Sequence, residues 1–296
     1  MASVMASDTV QLGAVQETLL VTLWARAVEA QKSRPILNDR RSVEIVDRMS
    51  YDFDRFRSAP ASQIGVCIRS LQLDRWVQGF LREHPNGTVV EIGAGLNTRF
   101  ERVDNGSVRW FDLDLPDAMM LRRRFFEESD RRTLISASVL DSDWIGVVKA
   151  AADGPFLLVA EGVFMYLPER DLRPLFSRLA DAFPGALLLF DTMSTWWVEN
   201  QRRHDALEHV EARLQWGLDD VGDLEWWDSR FKIVDSVTLG DIVHRFKRRV
   251  PIQYRVLADL AGLVFRKQTR GYHLNQIRCG DRLRAEVLQR PELVAP

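Results

Sequence analysis

The glycine-rich segment Val89–Arg99 is the part of the sequence most suggestive of a ligand site. It begins as an apolar run containing an acid, Glu91, and continues as Gly93, Ala94 and Gly95. Glycine lets the backbone turn sharply and approach a ligand with no Cβ in between. The third glycine of the dinucleotide fingerprint is missing, because a threonine occupies its position. An acid before the turn repels a pyrophosphate and suits a cation, so the segment favours S-adenosylmethionine over NAD as the ligand.

Two aspartates in the next apolar run could bind a ribose. Asp112 and Asp114 stand about 20 residues after the glycine turn, where a carboxylate at a strand end can accept both ribose hydroxyl hydrogens. Asp114 is the first choice for this role and Asp112 is the second. The structural alternative is that the acid only favours the start of a helix at Pro116.

Two further acids follow later apolar runs. Asp141 comes after Val139 and Leu140, and it could accept a hydrogen bond from an adenine amino group or merely cap the following helix. Glu161 directly follows the next run. Ligands of open parallel sheets bind outside the carboxyl ends of the strands. We therefore expect Asp114, Asp141 and Glu161 to form a polar rim that binds a cationic nucleoside.

Apolar runs alternate with helical patterns through the middle of the chain. This spacing requires crossover connections, and it predicts an α/β fold with a doubly wound, mainly parallel sheet that is covered on both faces. The predicted strands are Thr88–Ile92, 107–113, 133–136, Phe156–Ala160, 186–190, 231–237 and 271–278. The predicted helices between them are 116–128, 144–151 and 169–183.

The N-terminal part of the chain also has a helical pattern. Apolar positions recur there at helical spacing in three segments, which are 10–32, 41–49 and 62–82. We interpret the region of about 10–82 as part of a helical cap. Together with the sheet it would form one domain spanning 1–296.

The segment 194–229 interrupts the α/β alternation and is expected to be the second, mainly helical part of the cap. It contains five of the nine tryptophans of the chain. Indole rings offer large faces on which a flat substrate can stack, so Trp196 and Trp197 are candidate substrate contacts. The alternative is that these tryptophans form the core of the cap.

Composition indicates an ordinary globular enzyme of 296 residues, 46% hydrophobic and 28% charged. The formal net charge of −2 provides no general attraction to nucleic acid or to an anionic membrane, so neither is a predicted partner. A secretory signal is missing, and no apolar run approaches 18 residues, so we expect a cytoplasmic protein. Cys67 and Cys279 have neither metal-binding spacing nor a disulfide pattern, and no metal site is predicted.

Arginine outnumbers lysine by 35 to 5. This excess could reflect anion recognition or only the base composition of the gene. The second interpretation is favoured, because the arginines are scattered among acids. The tight basic runs Arg122–Arg124 and Arg248–Arg249 are expected to be solvated helix faces.

Several motifs, in order along the chain, resemble the leucine carboxyl methyltransferase family, and within it the bacterial branch that methylates polyketide carboxylates. The resemblance runs from about Thr18 to Trp227 and is carried chiefly by Glu91–Phe100, Trp110–Pro116 and Ala160–Leu167. It implies a class I methyltransferase fold and S-adenosylmethionine as the cofactor. One departure is Asn97, where the family usually has aspartate.

The resemblance also implies roles for individual residues. Arg69 would hold the methionine carboxylate of the cofactor, with Arg26 assisting. Glu161 and the adjacent Gly162 would meet the amino acid end, and Tyr166 would face the reaction centre. The remaining implied contacts are Gly93 under the cofactor, Asp114 at the ribose and Val139–Asp141 at the adenine.

The ionisation state of the acceptor group distinguishes the possible methyl acceptors. A carboxylate is already ionised at neutral pH, whereas a phenol usually needs a general base. His204 and His209, in the tryptophan-rich segment, are the plausible bases, and His204 is a candidate substrate contact. We expect a methyl ester on a small aromatic or polyketide-like carboxylate. The alternatives are methylation of a hydroxyl group, methylation of a protein C-terminus, an NAD(P)-linked oxidoreductase, or an inactive binding module.

Overall fold

The computed structural model describes residues 18–58, 60–203, 212–246 and 271–280, together with the single residues 252 and 256. These residues contain a seven-stranded sheet in the order β3-β2-β1-β4-β5-β7-β6. Strands β1 to β5 pair in parallel, and β7 is antiparallel to both β5 and β6. The strands are β1 Thr88–Ile92, β2 Arg109–Asp114, β3 Arg132–Ser136, β4 Phe156–Ala160, β5 Leu187–Met193, β6 Phe231–Thr238 and β7 Tyr272–Cys279.

Helices occupy both faces of the sheet and the edge at which the parallel strands end. The described α-helices are α1 Thr18–Ala30, α2 Arg40–Arg48, α3 Pro60–Glu83, α4 Arg99–Val103, α5 Pro116–Arg122, α6 Asp143–Ala151, α7 Glu169–Ala182, α8 Thr195–Glu199, α9 Leu224–Trp227 and α10 Leu239–Arg245. In the described part of the chain, no helix is both long and apolar enough to cross a membrane.

Burial on both faces explains why the central strands have continuous apolar sequences. Every residue of β1 is buried, and β4 and β5 are buried except at their first residues. A strand covered on both sides does not alternate between apolar and polar residues. The apolar runs therefore predict β1 and β4 with the bounds that the structure has, whereas β2, β3, β5, β6 and β7 differ by one to three residues at an end.

Three clusters of buried side chains hold the layers together. One cluster joins a sheet face to α6 and α7, and a second joins the opposite face to α3 and α10. The third connects α1, α2 and α5 with Met165, Met193 and Tyr272 at the edge where the parallel strands end. The sequence predicts one helical cap over about 10–82. In the structure these helices are divided, because α1 and α2 lie over the strand ends whereas α3 covers a sheet face.

The segment 194–229 is less helical than expected. It contains the short helices α8 and α9 and two 3₁₀ turns, while 212–220 has no regular structure and 204–211 lies outside the described residues. Trp216 and Trp227 contact each other and Phe176 of the main core, with ring centroids 5.6–6.4 Å apart. Trp216 is therefore a core residue, and the partly buried Trp227 packs against the core.

Candidate functional site

A cavity of about 250 Å³ lies where β1, β2 and β4 end, beside the point at which the strand order reverses. Open parallel sheets bind ligands at this place, because neighbouring loops diverge there. The described wall residues come from α1, the ends of β1 and β2, the glycine turn, the start of α5 with the residue before it, and the loops after β3 and β4. They are Thr18, Leu19, Ile92, Gly93, Gly95, Leu113, Asp114, Leu115, Ala118, Ala137, Ser138, Val139, Gly162, Val163, Tyr166 and Leu167.

The glycine turn needs glycine for two separate reasons. Gly93 and Gly95 have φ angles of +65° and +46°, a region that side chains disfavour. A Cβ on Gly93 would lie 2.4 Å from Cγ2 of Val163, so the loop after β4 packs directly on the turn. Between the two glycines, the Ala94 amide donates to the carbonyl of Leu113 at 3.0 Å. The turn is thereby tied to the end of β2.

Asp114 is the carboxylate in the cavity wall. It is the last residue of β2, and its Oδ2 accepts the amide of Gly95 at 2.6 Å while Oδ1 accepts the amide of Leu115 at 2.7 Å. Burial raises the pKa of Asp114 above the ordinary value, although these amide donors oppose the change. Each oxygen retains a second lone pair for a hydroxyl donor.

Asp112 does not line the cavity, and its surroundings are those of a buried ion pair. Nη2 of Arg122 lies 3.0 Å and Nε of Arg132 lies 2.7 Å from its Oδ2, and the indole of Trp110 donates to Oδ1 at 3.0 Å. Burial opposes ionisation, but the two guanidinium groups outweigh it and keep the pKa of Asp112 below the ordinary value. The expectation that Arg122 belongs to a solvated helix face is wrong, because its side chain is 1% exposed.

Of the three residues predicted near an adenine, Val139 lines the cavity. Leu140 is partly buried, and its carbonyl accepts from Nη2 of Arg178 at 2.8 Å. Asp141 is exposed, and its carboxylate accepts the amide of Ser138 at 3.1 Å. Asp141 thus closes the loop after β3 from outside the cavity wall.

Glu91 and Glu161 also stand behind the cavity wall. Arg99 lies between them and makes a short ion pair with each carboxylate. Burial raises the pKa of Glu91 to about 7, against the opposing charge of Arg99, and Oε2 of Glu91 has no hydrogen-bond partner among the described residues. For Glu161 burial acts in the same direction, but Arg69 and Arg99 outweigh it and hold the pKa well below the ordinary value.

The surroundings of Glu91 differ from those expected from the sequence. The charge of Glu91 is met by a buried arginine of the same chain, so the acid before the glycine turn does not itself face a cationic ligand. Asn97 fits this arrangement, because its amide donates to Glu91 at 3.1 Å and to Glu161 at 3.3 Å. An aspartate there would bring a third carboxylate against two others, which electrostatic repulsion disfavours.

Arg69 lies next to the cavity in a second polar cluster. A Cβ on Gly162 would be 3.6 Å from both Nη atoms of Arg69. The Arg69 Nε donates to Glu161 at 2.7 Å, and its Nη1 donates to Asp191 at 3.1 Å and to the Tyr272 hydroxyl at 2.6 Å. Asp191 also accepts the amide of Gly162 at 2.7 Å, and Tyr272 donates to Asp191 in a short hydrogen bond.

Sequence reasoning missed Asp191, Tyr272 and Arg99. Asp191 had a signal, because it follows the fifth apolar run as Glu161 follows the fourth. Tyr272 had none, because its partners Arg69 and Asp191 lie far away in the sequence. Arg99 stands eight residues after Glu91, but no pattern in the sequence shows that its side chain also reaches Glu161.

Arg26 is buried and is not among the described residues of the cavity wall. It pairs with Asp39 at 2.9 Å and donates to the carbonyl of Leu96 at 2.8 Å. Arg102 and Thr98 also donate to Asp39. These contacts tie α1 and the loop before α2 to the segment after the glycine turn.

Tyr166 is the candidate reaction-centre residue that lines the cavity, and burial raises the pKa of its phenol to about 12. Trp196 and Trp197 contact each other edge to face, with centroids 5.1 Å apart, and neither belongs to the cavity wall described above. His204 and His209 lie outside the described residues, as do Arg248 and Arg249.

Comparison with known proteins places the chain among methyltransferases. Residues 19–180 match the leucine carboxyl methyltransferase family. The chain is 34% identical over 241 residues to the tetracenomycin polyketide synthesis O-methyltransferase TcmP of Streptomyces glaucescens, covering 79% of this chain and 88% of that protein. It is 28% identical over 244 residues to the S-adenosyl-L-methionine-dependent methyltransferase dpfgK of Gibberella zeae, covering 75% and 82%.

A solved structure of a candidate methyltransferase from Thermobifida fusca has the same fold, with a TM-score of 0.53 at 17% identity over 87% of this chain and 94% of that one. The sheet order, the glycine turn at the strand-order reversal and these relatives together define the class. The protein is an S-adenosylmethionine-dependent methyltransferase of class I. The chain belongs to the leucine carboxyl methyltransferase family.

Proposed function

We propose that this enzyme methylates a carboxylate of a small, polyketide-like or aromatic molecule and forms a methyl ester. The observation that carries the proposal is the composition of the cavity wall. Among its described residues, Asp114 and Tyr166 have the ionisable side chains. Asp114 is engaged by the glycine turn, and Tyr166 stays protonated because its pKa is about 12. An acceptor that is already ionised needs neither of them as a base.

The donor set of the cavity fits the adenosyl part of the cofactor. Asp114 offers carboxylate lone pairs to two ribose hydroxyls, and the glycine turn lets a sugar approach the backbone. Leu115, Ala137 and Val139 supply an apolar surface for an adenine ring. Arg69, beside Gly162, is the candidate partner of the methionine carboxylate. Its Nη2 would be the donor, because Nε and Nη1 already donate to Glu161, Asp191 and Tyr272, and a hydrogen bond between a guanidinium and a carboxylate is a strong one.

The residues of the chain contribute to the reaction mainly by positioning and by excluding water. S-Adenosylmethionine supplies, when bound, a methyl group on a positively charged sulfur. Val163, Leu167 and Leu19 make the wall near Tyr166 apolar, which strengthens electrostatic interactions there by removing water. The protonated Tyr166 phenol can donate a hydrogen bond to an acceptor oxygen and hold it in place.

The name of the Streptomyces relative supports a polyketide acceptor, because that protein is an O-methyltransferase of polyketide synthesis. The protein should be incubated with methyl-labelled cofactor and a panel of aromatic acids, each paired with the matching phenol that lacks the carboxyl group. We expect a labelled product that mild base hydrolyses to methanol. A product that survives mild base would contradict the ester and indicate a phenol ether.

Asp114→Asn tests the cofactor site independently of the acceptor. The amide keeps the shape of the side chain but loses the charge that accepts the ribose hydroxyls, and its nitrogen cannot accept the backbone amide of Gly95 or Leu115. Hydrogen bonds to charged groups contribute about 1.5–3 kcal/mol. We therefore expect the Kd for S-adenosylhomocysteine, measured by calorimetry, to rise about 10- to 100-fold. Asp141→Asn, at the exposed acid outside the wall, is the matched control and should bind as the wild type does. Equal affinities of both variants would refute the ribose assignment.

A further inference from the structure

The last residue of α5, Arg122, contacts the glycine turn from outside the described cavity wall. Its Nη1 donates to three backbone carbonyls of the turn, those of Ala94 at 3.2 Å, Gly95 at 2.7 Å and Asn97 at 3.0 Å. The side chain is buried and absent from the described cavity wall. A single guanidinium nitrogen of Arg122 is therefore the shared donor for three carbonyls of the turn.

Arg122 is itself held in place by the neighbouring strand. Its other terminal nitrogen, Nη2, lies 3.0 Å from Asp112, and the ring of Phe126 lies under its guanidinium at 4.1 Å from the ring centroid. Asp112 is fixed in turn by Arg132 and by the indole of Trp110. A planar guanidinium can reach the carbonyls with one nitrogen and the carboxylate with the other, which a single ammonium group cannot do with the same geometry.

The backbone amide of Gly95 in the same turn contacts the cavity wall. With the carbonyls directed at Arg122, the amide of Gly95 donates to Asp114, the carboxylate of the cavity wall. The turn and Asp114 are thus joined by contacts within the chain itself. A site whose groups are already in position loses less ordering entropy when it binds.

We propose that Arg122 and Asp112 form a loop clamp that preorganises the glycine turn for the adenosyl group of the cofactor. Arg122 acts here as a positioning residue and Asp112 as its anchor, although the sequence placed Arg122 on a solvated helix face and made Asp112 the second choice for the ribose. This inference rests on the proposed cofactor site at Asp114.

The first test uses the unaltered protein. The loop clamp predicts that the amides of Ala94, Gly95 and Asn97 are protected from hydrogen exchange in the cofactor-free enzyme about as well as those of β1. We expect S-adenosylhomocysteine to add little to this protection. Rapid exchange of these amides without ligand, followed by strong protection once it is added, would overturn preorganisation.

The second test is Arg122→Lys, which keeps the charge beside Asp112 and removes the planar fork. We expect the Kd for S-adenosylhomocysteine and the KM for the methyl donor to rise at least five-fold, with kcat at saturating cofactor retained, and the turn amides to exchange faster. A purely structural role would lower the melting temperature without this separation of KM from kcat. Arg124→Lys, two residues along and exposed, is the matched control and should behave as the wild type does.

The outcomes separate the loop clamp from the cofactor site. If folded Arg122→Lys keeps its affinity within two-fold while Asp114→Asn loses it, the loop clamp is wrong and the cofactor site stands. If both variants keep full affinity, the cofactor site itself is wrong. If Arg122→Lys does not fold, the exchange experiment on the unaltered enzyme still decides.

Discussion

Replacing Tyr272 by phenylalanine removes one hydroxyl that joins two parts of the site. This hydroxyl accepts from Nη1 of Arg69 at 2.6 Å and donates to Asp191. Asp191 keeps two other donors, Arg69 and the amide of Gly162, so the substitution leaves no carboxylate without a partner. Hydrogen bonds to charged groups contribute about 1.5–3 kcal/mol, and with these remaining partners we expect a loss near the lower limit, about 1.5–2 kcal/mol of unfolding free energy.

The same change should also affect the cofactor. Arg69 and Gly162 both touch the Asp191 cluster, and both are proposed contacts of the methionine end. If losing the hydroxyl lets them shift, about 1 kcal/mol of binding free energy is lost, which corresponds to about a five-fold higher Kd for S-adenosylhomocysteine. The assays are chemical denaturation for stability and calorimetric titration for affinity.

Tyr51→Phe is the matched control for Tyr272→Phe. Its hydroxyl accepts from Arg55 at the surface, outside the cavity wall, so both measurements should stay near the wild-type values. Two results would refute the reasoning about Tyr272. Unchanged stability would show that the hydroxyl does not support the cluster. Lower stability with unchanged affinity would show that the cluster is structural and does not position the cofactor site.

Two further predictions concern the glycine turn and the acid before it. The pKa of Glu91 is raised from 4.5 to about 7, so the folded state binds a proton that the unfolded state releases, and the unfolding free energy falls as pH rises through this window. The decline amounts to up to about 3 kcal/mol of unfolding free energy between pH 4.5 and 7, and Glu91→Gln should abolish it. Parallel pH profiles of the two proteins in denaturation experiments would contradict this prediction. Gly93→Ala should destabilise the fold by more than about 2 kcal/mol, because it combines a positive φ with a contact at 2.4 Å to Val163. Gly106 has φ +83° and open space around it, so Gly106→Ala measures the loss of unfolding free energy that the backbone conformation alone causes. Adding Val163→Ala to Gly93→Ala should recover the extra loss that Gly93→Ala shows over Gly106→Ala. A double variant as unstable as Gly93→Ala would refute the steric explanation.

Local pattern accounts for the part of the site that the sequence predicts well. Continuous apolar runs mark strands buried on both faces, and the residue after such a run stands at the edge where ligands bind. Asp114 and the two glycines of the turn could therefore be placed on the cavity from their positions alone. Tyr166 could be placed there by its family motif, which follows β4.

Packing between helices and strands decided the rest, and one sequence contains no record of it. Glu91, Asp112 and Glu161 each stand at or near a strand end, as Asp114 does, yet arginines of α4, α5 and α3 pair with them. Whether a buried acid faces a ligand or a guanidinium depends on which side chains the finished fold brings within about 3 Å, and the cost of burying an unpaired charge makes that choice decisive. Apolar runs and glycines specify where the strands end and where the chain turns, because these are local properties of the chain. The packing of helices against the strand ends then paired most of these acids with arginines and left Asp114 in the cavity wall.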